Sequence, residues 1–112
     1  MARVKSPSAR KHRKVLAQAK GFRQARRRRI QTASEAVLHA GQYAFEGRKL
    51  KKRDMRALWI VRLNAAAREH GLTYGKLING LKKANIELDR KILSEIAVTD
   101  PSSFKKIVES IK

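Results

Sequence analysis

The chain has 112 residues, of which 28 are Lys or Arg and 9 are Asp or Glu, so its formal net charge is +19. This length allows one small domain, and a chain so strongly charged requires a polyanionic partner that offsets its self-repulsion. It contains no cysteine, which excludes disulfides, thiolate metal sites and thiol nucleophiles and fits a reducing compartment. The longest run of large apolar residues, Leu58–Val61, is far shorter than the roughly 20 residues of a membrane helix, so the sequence predicts no membrane span.

Charge and apolar residues are divided unequally between the two halves of the chain. Residues 1 to 56 contain 18 basic and 3 acidic residues, whereas residues 57 to 112 contain 10 and 6. The numbers of Ile, Leu and Val run the other way, at 7 and 17. We therefore predict a basic binding arm over residues 1–56 and a compact domain over residues 57–112. Residues 1 to 29, with 12 basic residues and no acidic one, are predicted to be disordered or frayed until they bind.

The arm has helical periodicity with a thin apolar face. This stripe consists of Ile30, Ala33, Val37, Ala40 and Ala44. Glycine lowers helix stability by up to about 1 kcal/mol relative to alanine. Gly41 and Gly47 therefore predict an interruption of the helix, with a bend near residues 41 to 50.

The C-terminal half has the periodicity and end signals of three or four helices. Gly71 is predicted to end the first, Thr73 to cap the second, and Asp100 with Pro101 to begin the last. The predicted apolar faces consist of Leu58, Trp59, Val61, Leu63, Ala65 and Ala66, then Leu77, Ile78, Leu81 and Ala84, then Leu88, Ile92, Leu93 and Ile96, then Phe104, Ile107, Val108 and Ile111. Trp59 is interpreted as a core residue, and stacking on RNA bases is the alternative interpretation. No stretch alternates with period two, so the predicted fold class is all-α, with a long, extended N-terminal helical arm joined to a small C-terminal helical domain.

Three basic runs are the strongest functional signal in the sequence. They are Arg10–Lys14, Arg26–Arg29 and Arg48–Arg53. Four consecutive arginines on a helix point around its whole circumference, whereas a protein that reads a duplex groove usually carries charge on one face. Arginine also binds phosphate with two hydrogen bonds and stacks on the bases that RNA loops expose. The pattern favours folded RNA as the partner, and charge that serves only solubility is the alternative interpretation.

The aromatic residues of the arm are interleaved with charge. Phe22 precedes Arg23, and Tyr43 and Phe45 lie shortly before Arg48. Stacking on RNA bases is one interpretation of such residues, and Phe22 is the candidate that we retain.

No catalytic or metal site is predicted. His12, His39 and His70 are about 30 residues apart and have no partner at the spacing of metal ligands. Glu87 and Asp89 are two residues apart, which places them on different sides of a helix. The sequence contains no phosphate-binding glycine loop and no nucleophile elbow. We therefore predict that the chain is not an enzyme and takes no metal, cofactor or small-molecule substrate.

Several motifs occur in a fixed order along essentially the whole chain. They are Ala2–Lys5, Ala40–Ala44, Lys51–Asp54, Leu58–Arg68, Asn79–Ala84 and Glu87–Lys91. In this order they resemble the L-twenty family of bacterial and plastid large-ribosomal-subunit proteins. The chain departs from the usual pattern of that family at four places. Residues 6–8 (Ser-Pro-Ser) stand where a slightly longer stretch with a basic residue and glycine is usual, Phe22 where tyrosine is common, Gln24 where glycine is usual, and Met55 where an aromatic residue is common.

The resemblance implies a structural constituent of the large ribosomal subunit, located in the cytoplasmic or the plastid ribosome. It implies direct binding of 23S ribosomal RNA through a basic arm that is ordered on RNA, support of early subunit assembly, and contacts with neighbouring large-subunit proteins. Some members of the family also repress translation of their own messenger through the compact C-terminal part, and the resemblance implies this as a further role. The RNA-binding residues that it implies, together with the candidate Phe22, are Arg3, Lys5, Arg10, Lys11, Arg13, Lys14, Lys20, Arg23, Arg26, Arg27, Arg28, Arg29, Arg48, Lys49, Lys51, Lys52, Arg53 and Arg56.

A DNA-binding protein is the alternative from another class. An architectural or regulatory protein of that kind would use the turn at Gly71 and the next helix as a helix-turn-helix. That helix has only three basic residues, Lys76, Lys82 and Lys83, and most of the charge lies upstream of it. A basic helix lying on an anionic membrane is a third interpretation, but its basic face lacks bulky apolar residues.

Overall fold

The computed structural model describes residues 6–112, which form helices and turns without a strand. The elements are α1 (Pro7–Gln18), a 3₁₀ turn (Gln24–Arg27), α2 (Ile30–Glu69), α3 (Tyr74–Lys83), α4 (Arg90–Thr99) and α5 (Pro101–Ser110). The predicted all-α fold, a helical arm with a small helical domain, is confirmed. Packing divides the chain into two compact units, Met1–Lys49 and Leu50–Lys112. The functional boundary after residue 56 stays a prediction.

The first unit contains α1, the 3₁₀ turn and the beginning of α2. Among its residues from 6 to 49, the buried ones are small, namely Ala19 and Ala33, both with no exposed surface. Ile30 and Val37 of the predicted apolar stripe are half-buried, whereas the rest of the stripe beyond Val37 is exposed. The segment predicted to be disordered contains α1, and its unfolding in the absence of RNA stays a prediction about the free chain.

Helix α2 continues without a break through Gly41 and Gly47, so the predicted interruption is wrong. Glycine weakens a helix through backbone entropy, but it keeps the amide hydrogen and the carbonyl that the helical hydrogen bonds use. Unlike proline, it therefore leaves the ladder of hydrogen bonds intact. Every residue from 38 to 58 is exposed, so this part of α2 contributes no buried side chain to either unit.

The second unit has one apolar core that draws on all four of its helices. The core consists of Leu63 and Ala67 from α2, Leu77 and Leu81 from α3, Leu93 from α4, and Phe104 and Val108 from α5. Full burial of a large apolar side chain contributes about 1.5–3 kcal/mol, so this cluster is the main source of stability in the unit. All of these residues except Ala67 belong to the faces predicted from helical periodicity.

The predicted apolar face of α2 is wider than the face that packs. Trp59 is half-exposed and lies outside the core, and Leu58 and Val61 are exposed, so their interpretation as core residues is wrong. Ile92 in α4 and Leu88 in the segment before it are also exposed, although they belong to a predicted apolar face. The core covers α2 only around Leu63 and Ala67, and residues one turn away or on the flank of the stripe stay in solvent.

The helix ends lie where their end signals predict. The Thr73 hydroxyl accepts a hydrogen bond from the Lys76 amide (3.4 Å), which caps α3. Gly71 ends α2 with φ +78°, and the bonds from the Leu72 amide to the Ala67 carbonyl (2.9 Å) and from the Gly71 amide to the Arg68 carbonyl (3.0 Å) form a Schellman motif. Asn85 takes the same role after α3, with φ +53°.

Replacing Gly71 by alanine is expected to lower the free energy of unfolding of the second unit by about 1–2 kcal/mol, because a side chain disfavours the left-handed backbone conformation. An added Cβ would meet no atom within 4 Å, so the effect is conformational and not steric. Gly75→Ala, the same substitution within α3 and equally unobstructed, is the matched control and should raise stability by up to about 1 kcal/mol. Urea denaturation followed by Trp59 fluorescence measures the stability of both variants. Equal effects of the two substitutions would contradict the role of Gly71 in ending α2.

Asp100 caps α5 and makes the stability of the second unit sensitive to acid. Hydrogen bonds from the Ser102 hydroxyl (2.6 Å), and from the Ser103 hydroxyl and amide, lower the pKa of the Asp100 carboxyl from 3.8 to about 2. Since the pKa is lower in the folded chain, this stabilisation is complete above the unfolded pKa and is lost as the pH falls towards 2. The variant Asp100→Asn keeps a capping side chain. As the pH is lowered from 5 to 2, we expect the melting temperature of the natural chain to fall relative to that of this variant. A constant difference over this range would contradict the assignment.

Candidate RNA-binding surface

The predicted RNA-binding cations that the structure describes lie on the surface. Every predicted basic residue from Arg10 to Arg56 is exposed, and Phe22 is half-buried. Arg3 and Lys5 lie outside the described residues. Among residues 6–112 the one ion pair is Lys105–Glu109 (3.9 Å) in α5, so no predicted RNA-binding cation is paired with a carboxylate.

Helix α1 presents its charge on one side. Arg10, Lys11, Arg13 and Lys14 follow one another at spacings of one to four residues, which places them on one broad face of the helix. Val15 and Leu16 are half-buried on the other side. The face with the basic residues is therefore the one left free for a partner.

The run of four arginines lies in a turn and not in an α-helix. Arg26 and Arg27 end the 3₁₀ turn, and Arg28 and Arg29 lead into α2. The Thr32 hydroxyl donates hydrogen bonds to the carbonyls of Ala25 (2.9 Å) and Arg29 (3.2 Å), which fixes this turn against the first turn of α2. All four guanidinium groups are exposed, but they do not lie on an α-helix, so the predicted helical arrangement of this run is wrong.

Two residues before the run adopt left-handed backbone conformations. Gly21 has φ +87° and Gln24 has φ +52°. The left-handed region costs a residue with a side chain about 1–2 kcal/mol, which explains why glycine suits the position of Gln24. The strained backbone at Gln24 lies directly beside the arginine run. A backbone conformation of this kind persists only where the surrounding structure holds it in place.

The remaining basic residues lie on exposed turns of α2. Arg48 and Lys49 end the first unit, and the Lys49 ammonium lies 4.4 Å from the centre of the Phe45 ring, a cation–π contact. Lys51, Lys52, Arg53 and Arg56 begin the second unit and are exposed as well. Their side chains therefore reach solvent and a polyanionic partner without any rearrangement of the core.

The described residues contain no group that indicates metal chemistry or a membrane span. Within residues 6–112, no three His, Asp or Glu side chains are arranged to hold a metal ion. No helix in this range is long and apolar enough to cross a bilayer.

Two kinds of comparison with known proteins, one with a family model and one with individual relatives, identify the same family. Residues 3–107 match the family model of ribosomal protein L20. The large ribosomal subunit protein bL20 of Roseiflexus castenholzii is 53% identical over 97% of this chain and 95% of that protein. The proteins of the same name from Chloroflexus aurantiacus (56% over 97% of this chain and 93% of that protein) and Francisella tularensis subsp. novicida (56% over 100% and 97%) are similar in extent. The chain therefore belongs to the ribosomal protein L20 family, and it is a large-subunit protein of the cytoplasmic ribosome and not an enzyme.

Proposed function

We propose that the chain binds 23S ribosomal RNA directly through the exposed basic residues of its first 56 positions, and that it supports early assembly of the large subunit beside neighbouring large-subunit proteins. The observation that carries this proposal is that those cations are exposed and have no carboxylate partner within the described part of the chain. All of the predicted basic residues from Arg10 to Arg56 are exposed and none is paired with a carboxylate within residues 6–112. Cations that the fold leaves without a carboxylate partner are available to neutralise phosphates.

The distribution of charge supports RNA over duplex DNA. Residues 1–56 contain 18 of the 28 basic residues, and those that the structure describes lie on α1, between α1 and α2, and along exposed α2. Helix α3, which would be the recognition helix of a helix-turn-helix protein, contains only Lys76, Lys82 and Lys83. Charge on several separate elements suits the irregular surface of folded RNA better than the regular groove of a duplex.

Competition between RNA and DNA at several salt concentrations tests the proposal. The full chain should retain 23S ribosomal RNA at moderate salt and release duplex DNA of equal length. If about eight phosphates are neutralised, the slope of log affinity against log salt should be near −6. A slope near zero, or equal affinity for the DNA, would contradict the proposal.

Fractionation of native lysate tests the same proposal in the cell. We expect the chain to sediment with the large subunit and to stay there after a moderate salt wash, and sedimentation with nucleoid DNA would contradict this. Repression of the chain's own messenger, which the resemblance implies for some members, is a separate proposal. Translation of that messenger with and without added chain tests it.

A further inference from the structure

The first unit contains an open groove between the turn that follows α1 and the N-terminal half of α2. Its volume is about 780 Å³, within the range of sites that hold a small molecule. Ala36 and Ala40 contribute small apolar side chains to it, and Gly21 and Thr32 line it as well. The hydrogen bond from the Thr32 hydroxyl to the Ala25 carbonyl holds the turn against α2, so the groove is a formed feature of this unit.

Three aromatic rings line the groove. The rings of His39 and Tyr43, one helical turn apart on α2, are stacked with centres 6.3 Å apart and planes 24° apart. Tyr43 is 66% exposed, so its ring is available to another aromatic group. Phe22 contributes a third ring from the turn. Exposed aromatic rings in a basic surface are the platform on which unpaired bases of nucleic acids stack.

Charged groups of both signs accompany these rings. Arg23 and Arg26 line the groove with exposed side chains, which suits the phosphate of a bound nucleotide. Glu35 lines it too and is the first acidic residue in the chain. Within residues 6–112 no cation lies within 4.0 Å of the Glu35 carboxylate, so its oxygens are not engaged in an ion pair.

A free carboxylate in a phosphate-binding surface selects for hydrogen-bond donors on the ligand. Guanine presents two neighbouring donors, N1–H and N2–H, on its Watson–Crick edge, and these match the two oxygens of a carboxylate. Adenine and cytosine present one amino group beside an acceptor, and uracil presents one N–H between two carbonyls. The carboxylate of Glu35 therefore favours guanine.

We propose that this groove binds one unstacked guanine nucleotide of the RNA, a proposal that rests on the RNA-binding function proposed above. The aromatic rings stack on the base, the Glu35 carboxylate accepts hydrogen bonds from its Watson–Crick edge, and Arg23 and Arg26 contact its phosphate.

Four RNA hairpins that differ only in one bulged nucleotide test this proposal with the full chain. At one salt concentration, fluorescence anisotropy should give an affinity about tenfold higher for the bulged guanine than for each of the other three. Glu35→Gln should abolish this preference. Glu46→Gln, the same change of charge on the same helix but outside the groove, should preserve it. Equal affinity of the natural chain for all four hairpins would overturn the proposal, as would loss of the preference in both variants.

A second pair of variants tests the stacking surface. Tyr43→Ala should weaken binding of every bulged hairpin by about tenfold and leave an unbulged hairpin unaffected. Leu38→Ala shortens an exposed side chain of the same helix outside the groove and should leave all of them unaffected. Displacement of the bulged hairpin by free guanosine monophosphate at the hairpin's own concentration would overturn the assignment to an RNA nucleotide. The proposed RNA-binding function is tested by the salt dependence of 23S RNA binding, whereas the groove is tested by the base preference among hairpins. A failure of one proposal is therefore distinguishable from a failure of the other.

Discussion

Replacing Arg26, Arg27, Arg28 and Arg29 together by glutamine is expected to weaken binding of 23S ribosomal RNA by about 100- to 1,000-fold at about 0.1 M salt. The four side chains are exposed and have no acidic partner among residues 6–112, so each is free to neutralise a phosphate. Release of about 0.7 counterion per contact also predicts that the slope of log affinity against log salt becomes shallower by about 3. Filter binding at four or more salt concentrations measures both quantities.

A second quadruple variant controls for net charge. Lys82, Lys83, Lys105 and Lys106 are exposed residues of α3 and α5, and replacing them by glutamine removes the same four charges from the second unit. This variant should lose much less affinity and keep most of the slope. If the two variants behave alike, the arginine run is not a contact surface and only the net charge of the chain matters.

Phe104→Ala is expected to lower the free energy of unfolding of the second unit by about 3–5 kcal/mol. Phe104 is 2% exposed and belongs to the central core cluster, and its ring centre lies 6.0 Å from that of His70. A small domain has a total stability of about 5–15 kcal/mol, so the variant should be close to unfolded at 37 °C.

Trp59 is the only tryptophan in the chain, so its fluorescence during urea denaturation reports on this unit alone. Val98→Ala, which shortens a side chain that is 62% exposed in α4, is the control and should change stability by about 0.5 kcal/mol or less. An unchanged midpoint for Phe104→Ala would mean that the core is assigned to the wrong residues.

The helix ends and most of the core could be predicted because their causes are local. Thr73, Asp100 and Gly71 determine the ends of helices through one capping side chain or one backbone conformation each. In α5, apolar residues at helical spacing from Phe104 onwards all pack into the core or against it. No knowledge of the rest of the chain is needed for either inference.

The features that could not be predicted depend on what lies opposite a residue. Trp59 and Val61 fit an apolar stripe, but burial also needs a neighbour that covers them, and periodicity carries no information about that neighbour. The groove is formed by two segments, and the role of Glu35 becomes visible only when Phe22 and Tyr43 are placed beside it. The exposed basic residues, by contrast, could be predicted because repulsion and hydration keep such a run in solvent.

The exposed stretch of α2 from residue 38 to residue 58 also has a consequence for the lifetime of the protein. A helix segment with no buried side chains opens at low free-energy cost, and an opened segment rich in Lys and Arg is a good substrate for proteolytic enzymes. A bound partner stabilises the closed helix by mass action and shields its peptide bonds. Under the proposed function, we expect copies bound to RNA to be protected from proteolysis and unbound copies to be degraded first.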